Sequence, residues 1–323
     1  MADVARIDIA ALFGEDAAAR AACDAALWAG LRRTGAVVLT GYPEADWIDA
    51  RARTGLAFFA QREAEKRKLA TRLCQPGNPN TYRGYHPHDP AGNFRTDFLD
   101  IGPAEPAPGP ELPGIEIVTE PTPWPETEPA PGWRDAVRDY YATLDRIGKA
   151  IMLSLGRSAG FDEDTIHARF DGEHSTLRFL DYPPSGLGPA PDGAPRIAAR
   201  LHTDASGLSL LWQGGPGLQA QGPDGAFHDV PVLKNCISLH VGTVMESMTG
   251  GAVPATPHRV LDPGVARQSV GFFLEPALTA PVTAVDRARE APRVEDTYGW
   301  QLLRQLSSYD RYAGVISAPV ARN

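Results

Sequence analysis

The chain has 323 residues, of which 43% are hydrophobic and 22% charged, a composition typical of a globular protein with a sizeable core. Its net charge of −9 argues against nucleic acid as the main partner, because a phosphate backbone selects basic surfaces. No apolar run reaches the length of about eighteen residues that a membrane helix needs, and no signal-peptide pattern is visible. The three scattered cysteines suit a reducing compartment, so we expect a cytoplasmic protein.

The N-terminal part combines strands and helices. We predict a strand over 5–12, a helix over 16–33 that ends at Gly35, a buried strand over 36–40 and a second helix over 46–70. The charged run from Arg62 to Lys68 predicts a solvated face on that second helix. Proline and glycine are dense over 103–131, which predicts an irregular surface excursion, and helical periodicity resumes over 133–160.

The C-terminal half consists mainly of short apolar segments separated by Gly/Pro turns. We predict strands over 175–182, 208–212, 237–241 and 269–274, followed by a helix within 297–312. Many short strands at this spacing indicate a sandwich or barrel.

Three side chains in this β-rich half could bind one metal ion. His202 and Asp204 form an H-x-D pair, and on a strand residues i and i+2 point to the same face. His258 follows at the start of a later apolar segment. Each residue alone is a weak signal, but two imidazoles and one carboxylate are the ligand set of a facial-triad Fe(II) site.

A second polar pair lies nine residues after that histidine. Arg267 and Ser269 open an apolar strand, and alternation places both polar groups on one face. There they can bind one carboxylate together through charge-assisted hydrogen bonds. A small dicarboxylate is therefore expected close to the metal.

The order of these motifs resembles the isopenicillin N synthase-like branch of the Fe(II)/2-oxoglutarate-dependent dioxygenases. The segments that carry the resemblance are Leu177-Arg178, Tyr182-Pro183-Pro184, His202-Thr-Asp204, Gly217-Leu218-Gln219, His258-Arg259-Val260 and Arg267-Gln-Ser269, with the aromatic strand that ends at Pro276. A weaker likeness extends over the N-terminal third. The chain departs from the family where His240-Val-Gly242-Thr243 replaces the usual Asn-x-Gly-Asp turn, and where Met248-Thr-Gly-Gly251 replaces Thr-Asn-Gly.

The resemblance implies one α+β oxygenase domain over 1–323. Within it we expect an N-terminal dioxygenase region over 5–130, a double-stranded β-helix (jelly-roll) barrel over 175–280 flanked by helices, and a C-terminal helix over 295–315. The implied catalytic and metal-binding residues are His202, Asp204 and His258, which would hold Fe(II). The implied residues for the co-substrate 2-oxoglutarate are Arg267, Ser269 and Tyr182, with O2 as the oxidant.

The implied activity couples decarboxylation of 2-oxoglutarate to succinate with hydroxylation, desaturation or cyclisation of a small organic molecule. One alternative is the same iron site used without 2-oxoglutarate, as in isopenicillin N synthase or aminocyclopropane-carboxylate oxidase, whose Arg-x-Ser pair binds a substrate carboxylate. Another is a catalytically silent barrel that binds a ligand or a partner protein. A zinc hydrolase would need a general base beside the metal, and no second motif such as H-E-x-x-H appears.

Candidate substrate contacts come mainly from segments that vary within the family. They are Tyr82, Arg83, Tyr85, Phe98, Arg178, His240 and Phe273. Either Arg83 or Arg178 could bind a substrate carboxylate or form a salt bridge with an acidic side chain. His240 replaces a smaller polar group, so it either lines the pocket or packs within the barrel. The expected partner is a small molecule, and neither nucleic acid nor a membrane is expected; the sequence leaves the oligomeric state open.

Overall fold

A computed structural model describes residues 3–88, 96–172, 174–187, 193–262, 264–284 and 293–320. The α-helices in these ranges are α1 (Ala17–Thr34), α2 (Ile48–Leu56), α3 (Glu63–Arg67), α4 (Ile115–Val118), α5 (Trp133–Ser158), α6 (Glu163–Phe170), α7 (Thr243–Met248) and α8 (Tyr298–Ser307). The strands are β1 (Ala5–Asp8), β2 (Ala36–Thr40), β3 (Gly84–His86), β4 (Asp97–Ile101), β5 (Thr176–Tyr182), β6 (Ile197–His202), β7 (Leu208–Gln213), β8 (Leu218–Gln221), β9 (Phe227–Asp229), β10 (Ile237–Val241), β11 (His258–Leu261) and β12 (Arg267–Leu274). None of the described helices is long and apolar enough to cross a bilayer.

The strands form two sheets. The major sheet has eight strands in the order β1-β2-β10-β7-β12-β5-β4-β3, and the minor sheet has four in the order β6-β11-β8-β9. Apart from the parallel pair of β1 and β2, neighbouring strands run antiparallel. Short connections join β6 to β7 (203–207) and β7 to β8 (214–217), whereas α7 lies in the longer connection between β10 and β11.

Alternation along the strands divides the major sheet into two faces. Leu210, Phe272 and Leu274 point to the outer face, where they join a large apolar cluster that includes residues of α5 such as Ile151. Leu211 points to the inner face and packs against a smaller cluster shared with the minor sheet. The inner face therefore borders the space between the sheets, and the arrangement is the predicted jelly roll flanked by helices.

Several element boundaries differ from the prediction. The predicted strand over 5–12 stops at Asp8 and continues as a 3-10 turn, and α6 and α7 were not predicted. The predicted helix over 46–70 is broken into α2, a 3-10 turn and α3, because Phe58 in the turn packs against the rings of Tyr85 and Trp133. The charged run after it is not wholly solvated, since the Lys66 ammonium lies 5.4 Å from the Tyr85 ring.

The proline-rich excursion contains the short helix α4 and is anchored by one carboxylate. Glu120 accepts hydrogen bonds of 2.6–3.0 Å from the backbone N–H groups of Thr81, Tyr82 and Arg83. Consecutive N–H groups of this kind form a concave anion-binding site, which the chain fills with its own side chain. The excursion is thereby tied to the segment that leads into β3.

Gly242 marks a tight crossing between β10 and the turn after Asp204. A Cβ at this position would lie 1.9 Å from the backbone oxygen of Ser206, which also accepts a 3.1 Å hydrogen bond from Val244. We expect Gly242→Ala to lower the free energy of unfolding by about 1–3 kcal/mol, because a backbone atom cannot move aside as a flexible side chain can. Urea unfolding measures this change.

The control for this prediction is Gly77→Ala, since nothing lies within 4 Å of a Cβ added there. Its effect on the free energy of unfolding should stay within about 1 kcal/mol of zero. Equal stability of Gly242→Ala and the wild type would show that the crossing is looser than described.

Candidate metal centre

Two neighbouring strands of the minor sheet bring the predicted metal ligands together. His202 is the last residue of β6 and lies directly opposite His258, the first residue of β11. Asp204 follows two residues after β6, in a turn and not on the strand as the sequence suggested. One side-chain atom from each of the three residues lies within 4.8 Å of the other two.

Asp204 is fixed from both its backbone and its side chain. The backbone N–H of Thr243 donates to the Asp204 carbonyl at 2.8 Å, and the Ser209 hydroxyl donates to Oδ2 at 2.5 Å. Ser209 was not among the predicted site residues. Ser209 is a polar residue between Leu208 and Leu210 on β7, and alternation along a strand places it on the face opposite to theirs. This pattern could have identified it from the sequence.

Both imidazoles are held with Nε2 towards the carboxylate. Nδ1 of His202 lies 2.7 Å from the Arg200 carbonyl, and Nδ1 of His258 lies 3.0 Å from the Thr256 carbonyl. Because a carbonyl only accepts, Nδ1 carries a proton, and in the neutral ring Nε2 keeps its lone pair. The Nε2 atoms lie 3.6 and 3.7 Å from the Asp204 oxygens, too far for hydrogen bonds.

Electrostatics favour the metal-binding protonation states. Burial lowers the pKa of His202, so its imidazole is neutral at pH 7. Burial would raise the pKa of Asp204, but the neighbouring His258 and His202 and the Ser209 hydroxyl outweigh it and hold that pKa below its ordinary value. Two imidazole nitrogens and one carboxylate, converging without hydrogen bonds between them, fit a facial-triad Fe(II) ion.

Arg267 and Ser269 lie on the inner face of β12. Arg267 is 4% exposed and donates to the Pro216 carbonyl at 3.1 Å and to the Ser269 hydroxyl at 3.3 Å. Tyr182 is its cross-strand partner on β5, and the guanidinium lies 5.1 Å from the centre of the tyrosine ring. The structure thus places these three predicted residues side by side.

The charge of Arg267 is not neutralised within the described residues. Its other polar contacts are with Oε1 of Gln213 at 3.5 Å and with the Tyr182 side chain, and no described carboxylate pairs with it. Burial accordingly lowers the pKa of Arg267. Gln213 is a second contact that the sequence did not single out, although alternation along β7 places it on the same face as Ser209.

Three of the predicted substrate contacts form one wall on the same inner face. Phe98 on β4 and Phe273 on β12 lie 4.4 and 5.5 Å from the Arg178 guanidinium, measured to their ring centres. Arg178 forms a two-point salt bridge to Asp100, with distances of 2.6 and 2.7 Å. The salt bridge that the sequence left as an alternative is therefore present, while the side chain stays 28% exposed.

The remaining candidates lie elsewhere or are already occupied. Tyr85 pairs with Leu99 and so points to the outer face, away from the candidate metal ligands, and its ring packs 5.5 Å from that of Phe58. Arg83 is 1% exposed and donates to the Thr176 hydroxyl at 2.6 Å. Tyr82 is buried and its ring is stacked 5.8 Å from that of His174. His240, by contrast, lies on the inner face with its ring 5.2 Å from that of His258.

Comparison with known proteins agrees with this site. Residues 173–276 match the model of the 2OG-Fe(II) oxygenase superfamily. Isopenicillin N synthase of Hapsidospora chrysogena is 27% identical over 315 residues, which cover 91% of this chain and 90% of that protein. The 2-oxoglutarate-dependent dioxygenase frbJ of Dothideomycetidae sp. (strain 11243) is 27% identical over 277 residues, covering 80% and 70%.

A solved structure supports the fold. A full-length Neurospora crassa protein, in complex with alpha-KG, superimposes with a TM-score of 0.72 at 22% identity, covering 92% of this chain and 93% of that one. The family match begins just before the strand that carries Tyr182 and ends just after the strand that carries Arg267. Since that range contains the whole cluster of candidate ligands, residues 173–276 are identified as a 2OG-Fe(II) oxygenase domain; the chain is similar to isopenicillin N synthase over most of its length, and it is an oxidoreductase.

Proposed function

We propose that the protein oxidises a small organic molecule with O2 while it decarboxylates 2-oxoglutarate to succinate and CO2. In the hydroxylation case one oxygen atom enters the substrate and the other enters succinate. The observation that carries the proposal is the buried Arg267 guanidinium, which has no described carboxylate partner and lies on the inner face. Burial of an unpaired cation is costly, so the site is built for an anion that arrives from outside.

The geometry around Arg267 suits the distal carboxylate of 2-oxoglutarate. The guanidinium offers a planar set of donors, and the adjacent Ser269 hydroxyl adds another. Tyr182 lies against the guanidinium and limits its movement. Along β12, Phe273 lies opposite Ser209, which contacts Asp204, so the strand runs from the metal centre towards Arg267. A five-carbon dicarboxylate would lie along this direction.

His202, Asp204 and His258 would hold Fe(II) and leave coordination positions free on one side. When bound, the iron supplies the redox chemistry that joins O2, the keto acid and the substrate. The protein orients these partners and shields them from water. Ser209 holds the Asp204 carboxylate in place, and the Arg200 and Thr256 carbonyls hold the two imidazoles.

The wall formed by Phe98, Phe273 and Arg178 would receive the prime substrate. Its two rings offer flat apolar surfaces, and Arg178 adds fixed N–H donors because Asp100 holds its guanidinium at two points. That salt bridge also neutralises the charge of Arg178. The wall therefore favours a small substrate that combines apolar area with a hydrogen-bond acceptor.

Calorimetry and product analysis test the proposal together. Protein loaded with redox-silent Mn(II) should bind 2-oxoglutarate, and Fe(II)-loaded protein in air should release succinate from it when a suitable substrate is present. No binding of 2-oxoglutarate in calorimetry, together with no succinate from any substrate tried, would overturn the proposal.

The likeness to isopenicillin N synthase keeps a second candidate function in view. In that case Arg267 and Ser269 would bind a carboxylate of the prime substrate, and O2 would be consumed without 2-oxoglutarate. Oxygen uptake in the presence of substrate discriminates the two candidates. Uptake that does not change when 2-oxoglutarate is added would favour the second.

A further inference from the structure

His240 is a buried imidazole with an unsatisfied ring atom beside the metal centre. The residue is 0% exposed, and its Nδ1 has no hydrogen-bond partner among the described residues. Its Nε2 lies 3.3 Å from the Ser238 hydroxyl. Buried polar atoms in folded proteins nearly always have a partner, and an unpartnered atom that lies beside a metal centre is placed to meet a ligand bound at that metal.

The register of β10 places His240 close to two of the candidate metal ligands, His258 and Asp204. It lies directly opposite Ser209, the residue whose hydroxyl donates to Asp204. Its ring centre is 5.2 Å from that of His258. The ring is fully buried, and burial disfavours a charged imidazole.

The hydrogen bond at Nε2 of His240 decides which of the two ring nitrogens carries the proton of the neutral imidazole. A neutral imidazole has one donor and one acceptor nitrogen. If the Ser238 hydroxyl donates to Nε2, the ring proton is on Nδ1, and Nδ1 becomes a donor that needs an oxygen acceptor. The neighbouring carbonyl of Leu211 lies 3.4 Å from the same hydroxyl and is the competing acceptor.

We propose that Nδ1 of His240 donates a hydrogen bond to 2-oxoglutarate at the end of the co-substrate that meets the metal. His240 is thus a positioning residue that steadies the keto acid, with Ser238 setting the tautomer. The inference rests on the proposed function, because it needs 2-oxoglutarate in the site. It also gives a role to the position at which this chain has histidine in place of the asparagine usual in the family.

His240→Leu removes both ring nitrogens at similar volume and is the main test. Calorimetry of Mn(II)-loaded protein should show 2-oxoglutarate binding at least about tenfold weaker than in the wild type, since hydrogen bonds to charged groups are the stronger class. The affinity for Mn(II) without 2-oxoglutarate should change much less. The visible charge-transfer absorption of the anaerobic Fe(II)–2-oxoglutarate complex should shift, because its energy depends on hydrogen bonds to the keto acid.

His228→Leu is the matched control. His228 is another buried histidine with unpartnered ring nitrogens, and it lies in the same cross-strand row of the minor sheet as His258, with Ala220 between them. Two strand spacings separate it from His258, about 10 Å. Its replacement should leave both the 2-oxoglutarate affinity and the absorption unchanged.

His240→Asn and Ser238→Ala keep the test decisive if the leucine variant fails to fold. Asparagine retains an amide donor and should recover part of the affinity, while Ser238→Ala should weaken binding by less than His240→Leu does. Unchanged affinity and absorption in every folded variant would overturn the role of His240 while the wild type still bound 2-oxoglutarate. A wild type that did not bind 2-oxoglutarate would instead overturn the proposed function.

Discussion

Asp204→Ala is expected to weaken Fe(II) binding by more than about 100-fold and to abolish turnover. Removal of an outer-shell partner alone costs about 10- to 100-fold in metal affinity, and this change removes a ligand. The variant keeps the two imidazoles but loses the carboxylate of the described cluster. Iron content after anaerobic equilibration with Fe(II), together with a Mn(II) titration, measures the loss.

Ser209→Ala provides the graded comparison. It leaves the Asp204 carboxylate in place but removes the hydroxyl that donates to it at 2.5 Å. We expect metal affinity to fall by about 10- to 100-fold, less than for Asp204→Ala. Near-UV circular dichroism checks that both variants fold. An Asp204→Ala protein that retained one iron per chain and full turnover would remove Asp204 from the ligand set.

Arg267→Gln is expected to weaken 2-oxoglutarate binding by about 30-fold to several thousand-fold. Removing one partner of a buried charge pair costs about 2–5 kcal/mol, and every 1.4 kcal/mol is a factor of ten in affinity. Arg267→Lys should keep the positive charge but lose the planar two-point geometry of the guanidinium. Its affinity for 2-oxoglutarate should therefore lie between those of the wild type and of Arg267→Gln. Calorimetry on Mn(II)-loaded protein gives the dissociation constants.

Arg259→Gln is the control for that series. Arg259 directly follows the ligand His258, but its guanidinium lies over the Phe227 ring and donates to Gln219, away from the inner face. Its loss should leave 2-oxoglutarate binding within about threefold of the wild type, the effect expected of a surface substitution. If Arg267→Gln raised only the KM for the prime substrate, the function without 2-oxoglutarate would be favoured.

The three candidate ligands could be predicted from the sequence because they lie in recognisable order along the chain. The position of the Asp204 carboxylate beside the two imidazoles could not be predicted, since Asp204 follows the end of β6 and depends on hydrogen bonds from Thr243 and Ser209. Likewise, the salt bridge between Arg178 and Asp100 joins residues 78 positions apart, and no local pattern connects them.

Strand parity explains why Tyr85 lies apart from the other candidate substrate contacts on these strands. Phe98 pairs with His86, whereas Tyr85 pairs with Leu99, so a shift of one residue sends Tyr85 to the outer face. Sequence shows that such a segment is apolar but not which neighbour it will pair with. The core strands β2 and β10 carried no such ambiguity, and their predicted limits match the structure.

The two apolar clusters differ greatly in size, and this has a thermodynamic consequence. The larger cluster fastens the major sheet to the helices, whereas a few small side chains hold the minor sheet, and every residue of β6 is at least partly exposed. An ion bound by His202, Asp204 and His258 would crosslink β6, its following turn and β11. Because a ligand stabilises the state that binds it, iron supply would govern how often this thin layer opens. Bound iron would then also protect the chain from proteolysis. Loss of iron would shorten the lifetime of the protein as well as abolish its activity.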